Sequence, residues 1–561
     1  MSSASRPHLA HRGSNRLALL ALGLYLALFV IQLYIFPFWG PFSAIDEQLH
    51  CYQDGRNFAQ YGFTSTALLP DRSTGSAPVQ HPYLYNHQPP GPDLLMGVLI
   101  RLFGERYRLI RTVLATLFLL GTVTYLRFCR LLELRGYALA SLAFLLVKPR
   151  TVMHMIDHPA YSPFPLLAFL PVIALHHHHE TRQTRWLGLA AATVFLGSNY
   201  VLYGPLTMVA MLWILGTAFR ILPIKPRELI LLLGTMVMAV VLHLFQSLVV
   251  LGPPLFAQEL WFTVSNRMFG EPTRDELKAF YDSLGFVLYG GHRFSRARFL
   301  DAVASTLWVR AYAPLAVALV VVLVVVLWQA AGRCEPAPDT VRRSTLELAK
   351  VVVSVVVSVL TPIFMFPAFS SDYGLRGMNE FLLGILALAS LSLGFQIVAA
   401  TPLANTTRSS LRILLLASVA WVGLAQLHGA DQVARGLARW VRDPVIETGF
   451  SWITNNLGGQ VAMTNVDPTV VGFFTKQVAL GGCQQASIAA AAPDASKCLA
   501  HFIHGWPTTV PTAPAVYVWF GEGNAFCSSA ACVSREELDR RFKRIFAVSS
   551  MAAYDMATGS H

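Results

Sequence analysis

Two adjacent carboxylates, Asp46 and Glu47, follow directly on the first long apolar run of the chain. A carboxylate at a membrane surface can take a proton from a hydroxyl, and a second one beside it can ligate a divalent cation. The same pair also suits a helix start, with Asp46 as the cap and Glu47 in the first turn of a helix running to about Tyr61. The two roles are compatible. A second group of interest is Tyr85-Asn-His-Gln-Pro-Pro-Gly91. Paired prolines start a helix rather than continue one, which leaves His87 at a rigid helix entrance or simply on the surface. A third is His154-Met-Ile-Asp-His158. There Asp157 has an imidazole on either side, and His154 and His158 would share a helical face as a zinc-like pair, unless Pro159 and Pro163 end the helix. A fourth is Ser371-Asp-Tyr-Gly-Leu-Arg376 with Glu380. The planar guanidinium of Arg376 matches phosphate oxygens, and it equally suits a snorkelling anchor. The run His176–His179 offers metal capture or a solvated polar turn.

The elements that must hold these groups are membrane helices. Of 561 residues, 54% are hydrophobic and only 13% charged, against about 25% charged in soluble domains. This excludes an ordinary soluble protein and a disordered chain, and seven cysteines are too sparse for a disulfide-built mini-protein. The net charge of +12 reads as Lys/Arg anchoring of cytoplasmic loops and not as nucleic-acid binding. Apolar runs lie near 17–38, 109–129, 136–150, 163–176, 186–200, 204–219, 229–250, 311–330, 349–368, 380–399 and 411–427. They predict an α-helical polytopic membrane protein with about eleven transmembrane helices. Arg6, Arg12 and Arg16 put the N-terminus in the cytoplasm. The alternate loops then carry Arg130 and Arg135, Arg182 and Arg185, Arg220 and Lys225, Arg342 and Arg343, and Arg408 and Arg412. All are basic, which supports a cytoplasmic N-terminus and an extracytoplasmic C-terminus in the inner membrane. Gly91–Phe103 is too short to span and has Arg101, Arg106, Arg108 and Arg111 about its end, so it is expected to be juxtamembrane or re-entrant.

Residues 1–427 thus form a membrane module with outer loops at 39–108 and 251–309, and 428–561 form a separate extracytoplasmic unit. Stretches such as Val461–Met463 and Ala515–Phe520 read as strands, and Ser534-Arg-Glu-Glu537 as a capping box, predicting a small α/β domain. This unit holds Cys483, Cys498, Cys527 and Cys532, an even set that reads as two disulfides in an exported domain. Three pairings are open; 483–498 with 527–532 joins nearest neighbours.

The arrangement resembles the GT-C superfamily of membrane glycosyltransferases, in particular the protein O-mannosyltransferase and aminoarabinose transferase branch. The residues that carry the likeness are Asp46-Glu47 with Tyr61-Gly62, then His87-Gln-Pro89-Pro90, Leu102-Phe103-Gly104 and Arg111, then Asp157, and finally Arg376. The likeness is good over about the first 180 residues and thins to topology beyond. The Arg376 segment lacks the Arg-Tyr-x-x-Pro of that branch, and Gln88 separates His87 from the prolines. The resemblance implies a polyprenyl-phosphate-linked sugar donor used at the outer face of the membrane, with a glycan, glycolipid or protein as acceptor. It implies Asp46 as base, with Glu47 and Asp157 as further catalytic carboxylates and donors to a divalent ion if one serves. His87, Arg376 and Arg111 become contacts to the donor phosphate.

Other classes fit less well. A transporter or flippase of lipid-linked sugars would place charges near the midplane, often in inverted repeats, whereas here the acids gather at one face. An envelope-glycan polymerase or ligase differs only in its acceptor. In a non-catalytic envelope assembly protein the tail would be the working part.

Overall fold

The computed structural model describes residues 45–72, 88–132, 155–200, 203–254, 296–306, 309–331, 339–367, 378–401, 403–418, 445–457, 462–464, 468–476, 479–480, 516–520, 535–548 and 551–555, with isolated positions between 23 and 33, at 84, 256–268, 420–424 and 460. The fold is mostly helical. Helix α1 (Ile45–Tyr61) is followed by α2 (Gly91–Phe103) and α3 (Tyr107–Leu131). Next come α4 (Phe164–Thr181), α5 (Thr184–Ser198), α6 (Tyr203–Ala218) and α7 (Pro226–Leu251). The membrane part continues through α8 (Arg296–Thr306), α9 (Val309–Ala331), α10 (Asp339–Met365) and α11 (Met378–Ala400).

Among the described residues, Tyr107–Leu131, Pro226–Leu251 and Phe381–Ala399 are long and apolar enough to cross a membrane. Gly204–Ala218, Ala313–Val326 and Ala349–Met365 are shorter apolar helices. The chain is a multi-pass membrane protein. Helix α7 illustrates the solvent it faces: Ile230, Val237, Val241, Phe245 and Val249 point outward, while Leu232, Met236, Ala239, His243 and Ser247 are buried. An outward face of large aliphatic groups suits hydrocarbon and not water. Inside the bundle, Tyr125 of α3 lies 5.2 Å from Phe169 of α4 and 5.0 Å from Phe381 of α11, ring centre to ring centre. Its hydroxyl donates to the Phe381 carbonyl at 3.1 Å, so the one polar atom of this aromatic knot is satisfied.

The run His176–His179 is not a loose turn, because α4 continues through it to Thr181. His176 and His177 meet Glu180 at 3.1 and 3.2 Å, and His179 reaches Glu228 of α7 at 2.7 Å. Satisfied imidazoles allow the helix to extend.

The C-terminal region builds a five-stranded sheet from β1 (Ala462–Thr464), β2 (Ala479–Leu480), β3 (Val516–Phe520), β4 (Lys543–Val548) and β5 (Met551–Asp555), in the order β2-β1-β3-β5-β4. β1 runs parallel to β2 and β3, and β5 pairs antiparallel with β3 and β4. Helices α12 (Ser451–Asn456), α13 (Pro468–Thr475) and α14 (Arg535–Arg541) accompany it. The core of this unit is continuous with α1, α2 and the start of α3: Phe450, Ile453, Val471, Phe473, Val518 and Phe520 share one apolar cluster with Leu49, Tyr52, Met96, Leu99, Ile110 and Leu114.

Candidate functional site

Helix α1 reads as polar, yet residues 49–58 are buried except for the half-buried Arg56. It lies between two partners. Cys51, Asp54, Gly55 and Phe58 recur at the spacing of one helical face, and this face meets Asp93, Met96 and Gly97 of α2. The approach is close because both helices use glycine at the crossing. A Cβ on Gly55 would stand 2.6 Å from the Met96 Cβ and 2.8 Å from its backbone carbon, and one on Gly97 would stand 2.8 Å from the Phe58 Cβ.

This seam buries charge. Asp54 is fully enclosed, and Asp93 and Arg72 are nearly so. The Arg72 guanidinium approaches the Asp54 carboxylate at 3.5 Å. Burial pushes the Asp54 carboxyl well above the usual carboxylate range, the Asp93 charge adds to this, and Arg72 opposes it. Asp93 is raised by burial as well, again against Arg72. The Cys51 thiol is raised by burial and then by the Asp93 charge. The strand of loop that brings Arg72 is tied to α1 by Asn57, whose amide donates to the Asp71 carbonyl at 2.6 Å.

The second charged group sits near the start of α3. Arg111, in the second turn of α3, forms an ion pair through its Nε with Oδ2 of Asp157. Both side chains are 2% exposed. Asp157 opens the turn before α4, in which the backbone amides of Tyr161 and Ser162 donate to the His158 carbonyl at 3.1 and 2.9 Å. Tyr200 donates to the Pro159 carbonyl and ties this turn to the end of α5. Next to it the Gly91 amide donates to the Asn199 carbonyl at 2.9 Å, and a Cβ on Gly91 would meet that oxygen at 2.4 Å. Glycine is required there, so the start of α2 and the α5–α6 turn are locked backbone to backbone.

Tyr52 links the two groups. It is fully buried on α1, and its hydroxyl is raised by burial, then by the Asp157 charge, with Arg111 opposing. Helix α1 therefore lies within electrostatic reach of the Arg111–Asp157 pair.

Of the residues singled out from sequence, Asp46 and Glu47 begin α1, and the structure describes their backbone as helical. Asp157 and Arg111 are brought together. Pro90 precedes the first residue of α2 and its carbonyl accepts from Leu94 at 2.9 Å, as expected of a proline-led helix start. His87, His154, Arg376, Cys483, Cys498, Cys527 and Cys532 lie outside the described residues. Among the described residues, no three His, Cys, Asp or Glu side chains are grouped to hold a metal ion.

No family model and no curated protein matches the chain. Solved structures do. The chain is similar in structure to ArnT from Cupriavidus metallidurans. In the apo state the TM-score is 0.47 at 14% identity, over 96% of this chain and 97% of that one. The form bound to undecaprenyl phosphate has a TM-score of 0.48 at 13% identity, over 96% and 98%. The archaeal oligosaccharyltransferase AglB from Archaeoglobus fulgidus, in complex with an inhibitory peptide and a dolichol-phosphate, has a TM-score of 0.42 at 13% identity, over 83% and 64%.

Sequence reasoning overlooked Tyr52, Asp54, Arg72 and Asp93. Two of them left a trace. Asp93 is the lone acid in an otherwise apolar run, Gly91–Phe103, and Asp54 precedes Gly55 on a face completed by Cys51 and Phe58. An acid and a glycine on one face of each of two neighbouring helices, Asp54 with Gly55 and Asp93 with Gly97 one turn on, are the signal of a tight, charged crossing.

Proposed function

We propose that the protein is a membrane glycosyltransferase that moves a sugar from a polyprenyl-phosphate-linked donor to an envelope glycan, lipid or protein acceptor. In this reading the chain spans the inner membrane about eleven times, keeps its N-terminus in the cytoplasm, and does its chemistry at the outer face. One observation carries the reading: the helix that holds Asp46-Glu47 in its first turn buries Tyr52, less than two turns on, within electrostatic reach of the buried Arg111–Asp157 pair. An acidic helix start and a cation at the membrane boundary are what sugar transfer from a lipid phosphate requires.

The steps follow from the residue types. Asp46 accepts the proton of the acceptor hydroxyl as its oxygen bonds to the anomeric carbon. The bond from that carbon to the phosphate oxygen breaks, and the polyprenyl phosphate departs with the electron pair. Its charge is offset by Arg111, with Arg376 and His87 as further donor-side groups. Glu47 contacts the acceptor. Asp157 holds the Arg111 guanidinium in place, which leaves that carboxylate neutralised by its partner. Where a divalent ion serves, Glu47 and Asp157 would hold it, and it would supply further positive charge to the departing phosphate.

The test is Asp46→Asn, purified and compared with wild type on a polyprenyl-phosphate sugar. Asparagine caps a helix nearly as well as aspartate but accepts no proton. The variant is expected to unfold at the wild-type temperature and to turn over about 10²–10⁴ times more slowly. Near-normal turnover would reduce Asp46 to a cap and pass the role of base to Glu47 or Asp157.

A further inference from the structure

Arg56 follows Tyr52 by one turn on α1 and joins three parts of the chain. Its Nε and Nη2 meet the Glu105 carboxylate at 2.9 and 3.4 Å, in the corner between α2 and α3. Nη2 also donates to the Tyr107 hydroxyl at 3.0 Å. Nη1 donates to the Phe473 carbonyl at 3.3 Å, and the guanidinium carbon lies 4.3 Å from the centre of that residue's ring. Phe473 belongs to α13, in the C-terminal unit, and is 3% exposed. Its ring stands 5.7 Å from that of Tyr107 and 6.4 Å from that of Tyr52, and the Tyr52 and Tyr107 rings are 5.3 Å apart edge to face. Lys476, just past the end of α13, comes within 3.8 Å of Glu105.

An isolated exposed ion pair would mean little. Here the arginine is largely enclosed, uses Nε, Nη1 and Nη2 as donors with one face against the Phe473 ring, and bridges segments far apart in sequence. The geometry also divides the work around α1. Its Cys51–Asp54–Gly55–Phe58 face is held by α2, whereas its Tyr52–Arg56 face meets α13 and the start of α3. Tyr52 is the member of that face within reach of Asp157 and Arg111.

We infer that the C-terminal unit completes the transfer site: Phe473 and Arg56 are positioning residues that fix Tyr52, and with it the Asp46-Glu47 helix, against the Arg111–Asp157 pair. Neither side chain has to touch substrate. The inference rests on the proposed transfer reaction for its consequence, but the coupling of α13 to α1 stands or falls separately. Misplacement of a reacting group by an ångström costs about 10²-fold in rate.

The experiment uses the full-length protein in detergent or nanodiscs with two variants of one position. Phe473→Leu keeps an apolar side chain but removes the ring that stacks on Arg56 and faces Tyr52. Phe473→Tyr keeps the ring. Phe473→Leu is expected to lower kcat about 10²-fold with KM within about twofold, and Phe473→Tyr to restore most of it. Hydrogen exchange is followed in parallel. Amides of α1 should exchange faster in Phe473→Leu, while those of α4 and α5 keep their protection. If Phe473→Leu loses protection throughout, Arg56→Lys replaces it, since lysine keeps the charge but not the fork; it is expected to show the same loss of kcat and the same local opening. Unchanged α1 exchange together with unchanged kcat overturns the inference. So does a raised KM at constant kcat, which would make the unit an acceptor-binding part instead. Faster α1 exchange in a protein whose wild type transfers no sugar upholds the coupling and removes the reaction it was thought to serve.

Discussion

Replacing Asp157 by asparagine removes the partner of a buried cation while hardly changing shape. Arg111 and Asp157 are each 2% exposed, so water cannot compensate the guanidinium that remains. Breaking a buried pair from one side costs about 3–5 kcal/mol, most of it the uncompensated charge. Arg111 also lies where α3 joins α1 and α2, close to Ile110 and Leu114 of their shared core, so the loss should loosen that junction first. Asp157→Asn is therefore expected to unfold about 3–5 kcal/mol more easily, as followed by tryptophan fluorescence in a denaturant series. The double variant Arg111→Met, Asp157→Leu removes both charges and supplies apolar volume. Such replacements are neutral or even stabilising by about 1–4 kcal/mol, so the double variant should recover the stability that the single one lost. It should not recover turnover of a polyprenyl-phosphate sugar, because the cation that offsets the departing phosphate is gone. Wild-type stability in Asp157→Asn would refute the claim that the pair is buried and mutually dependent. Full turnover in the double variant would refute the role given to Arg111.

Three further outcomes can be measured directly. Gly55→Ala puts a Cβ 2.6 Å from the Met96 Cβ and 2.8 Å from backbone, so α1 and α2 must separate; a loss of about 1–3 kcal/mol in the same unfolding assay is expected. Asp54 and Asp93 hold their protons more tightly folded than unfolded, so their contribution is full below the ordinary carboxylate range and is lost as pH rises through the raised folded values. Stability against pH should fall over that window by up to about 1.4 kcal/mol per pH unit for each proton released, and Asp54→Asn should flatten the profile; an unchanged profile in that variant would remove Asp54 from the titration. A reporter fused after Gly559 should be active only outside the cytoplasm, and cytoplasmic activity would turn the proposed topology over, moving Asp46 and Asp157 to the wrong face.

Much of the helical frame was legible because its signals are local. The apolar run 229–250 falls within α7, 380–399 within α11, and Pro89-Pro90 marks the start of α2. Val461–Met463 and Ala515–Phe520 read as strands, and β1 and β3 lie there. The antiparallel pair β4 and β5 was not foreseen. Lys543 and Arg544 open β4, its burial does not alternate cleanly, and the pairing slips between Arg544 and Phe546, so no period of two stands out. Of the site, Asp157 and Arg111 were each noticed, but their pairing spans 46 residues and no local spacing encodes it. Tyr52 and Asp54 were passed over for a different reason. The helix Ile45–Tyr61 is rich in polar groups and has the look of a solvated surface helix, and only the partners on both its faces make it interior.

The core that α1 and α2 share with the sheet has a consequence for the making of the protein. Arg56 and Phe473 are 417 residues apart in the chain. At about 5–20 residues per second of synthesis, about 20–80 s pass between the emergence of one and of the other. During that time Leu49, Tyr52 and Leu99 have no sheet to pack against. Helix α1 is thus made long before its packing is finished, and its Tyr52–Arg56 face stays open until α13 has been made. A ribosome that stops before α13 leaves α1 and α2 uncovered on that side. Quality control that samples exposed apolar surface would therefore tell a truncated chain from a full-length one at this face.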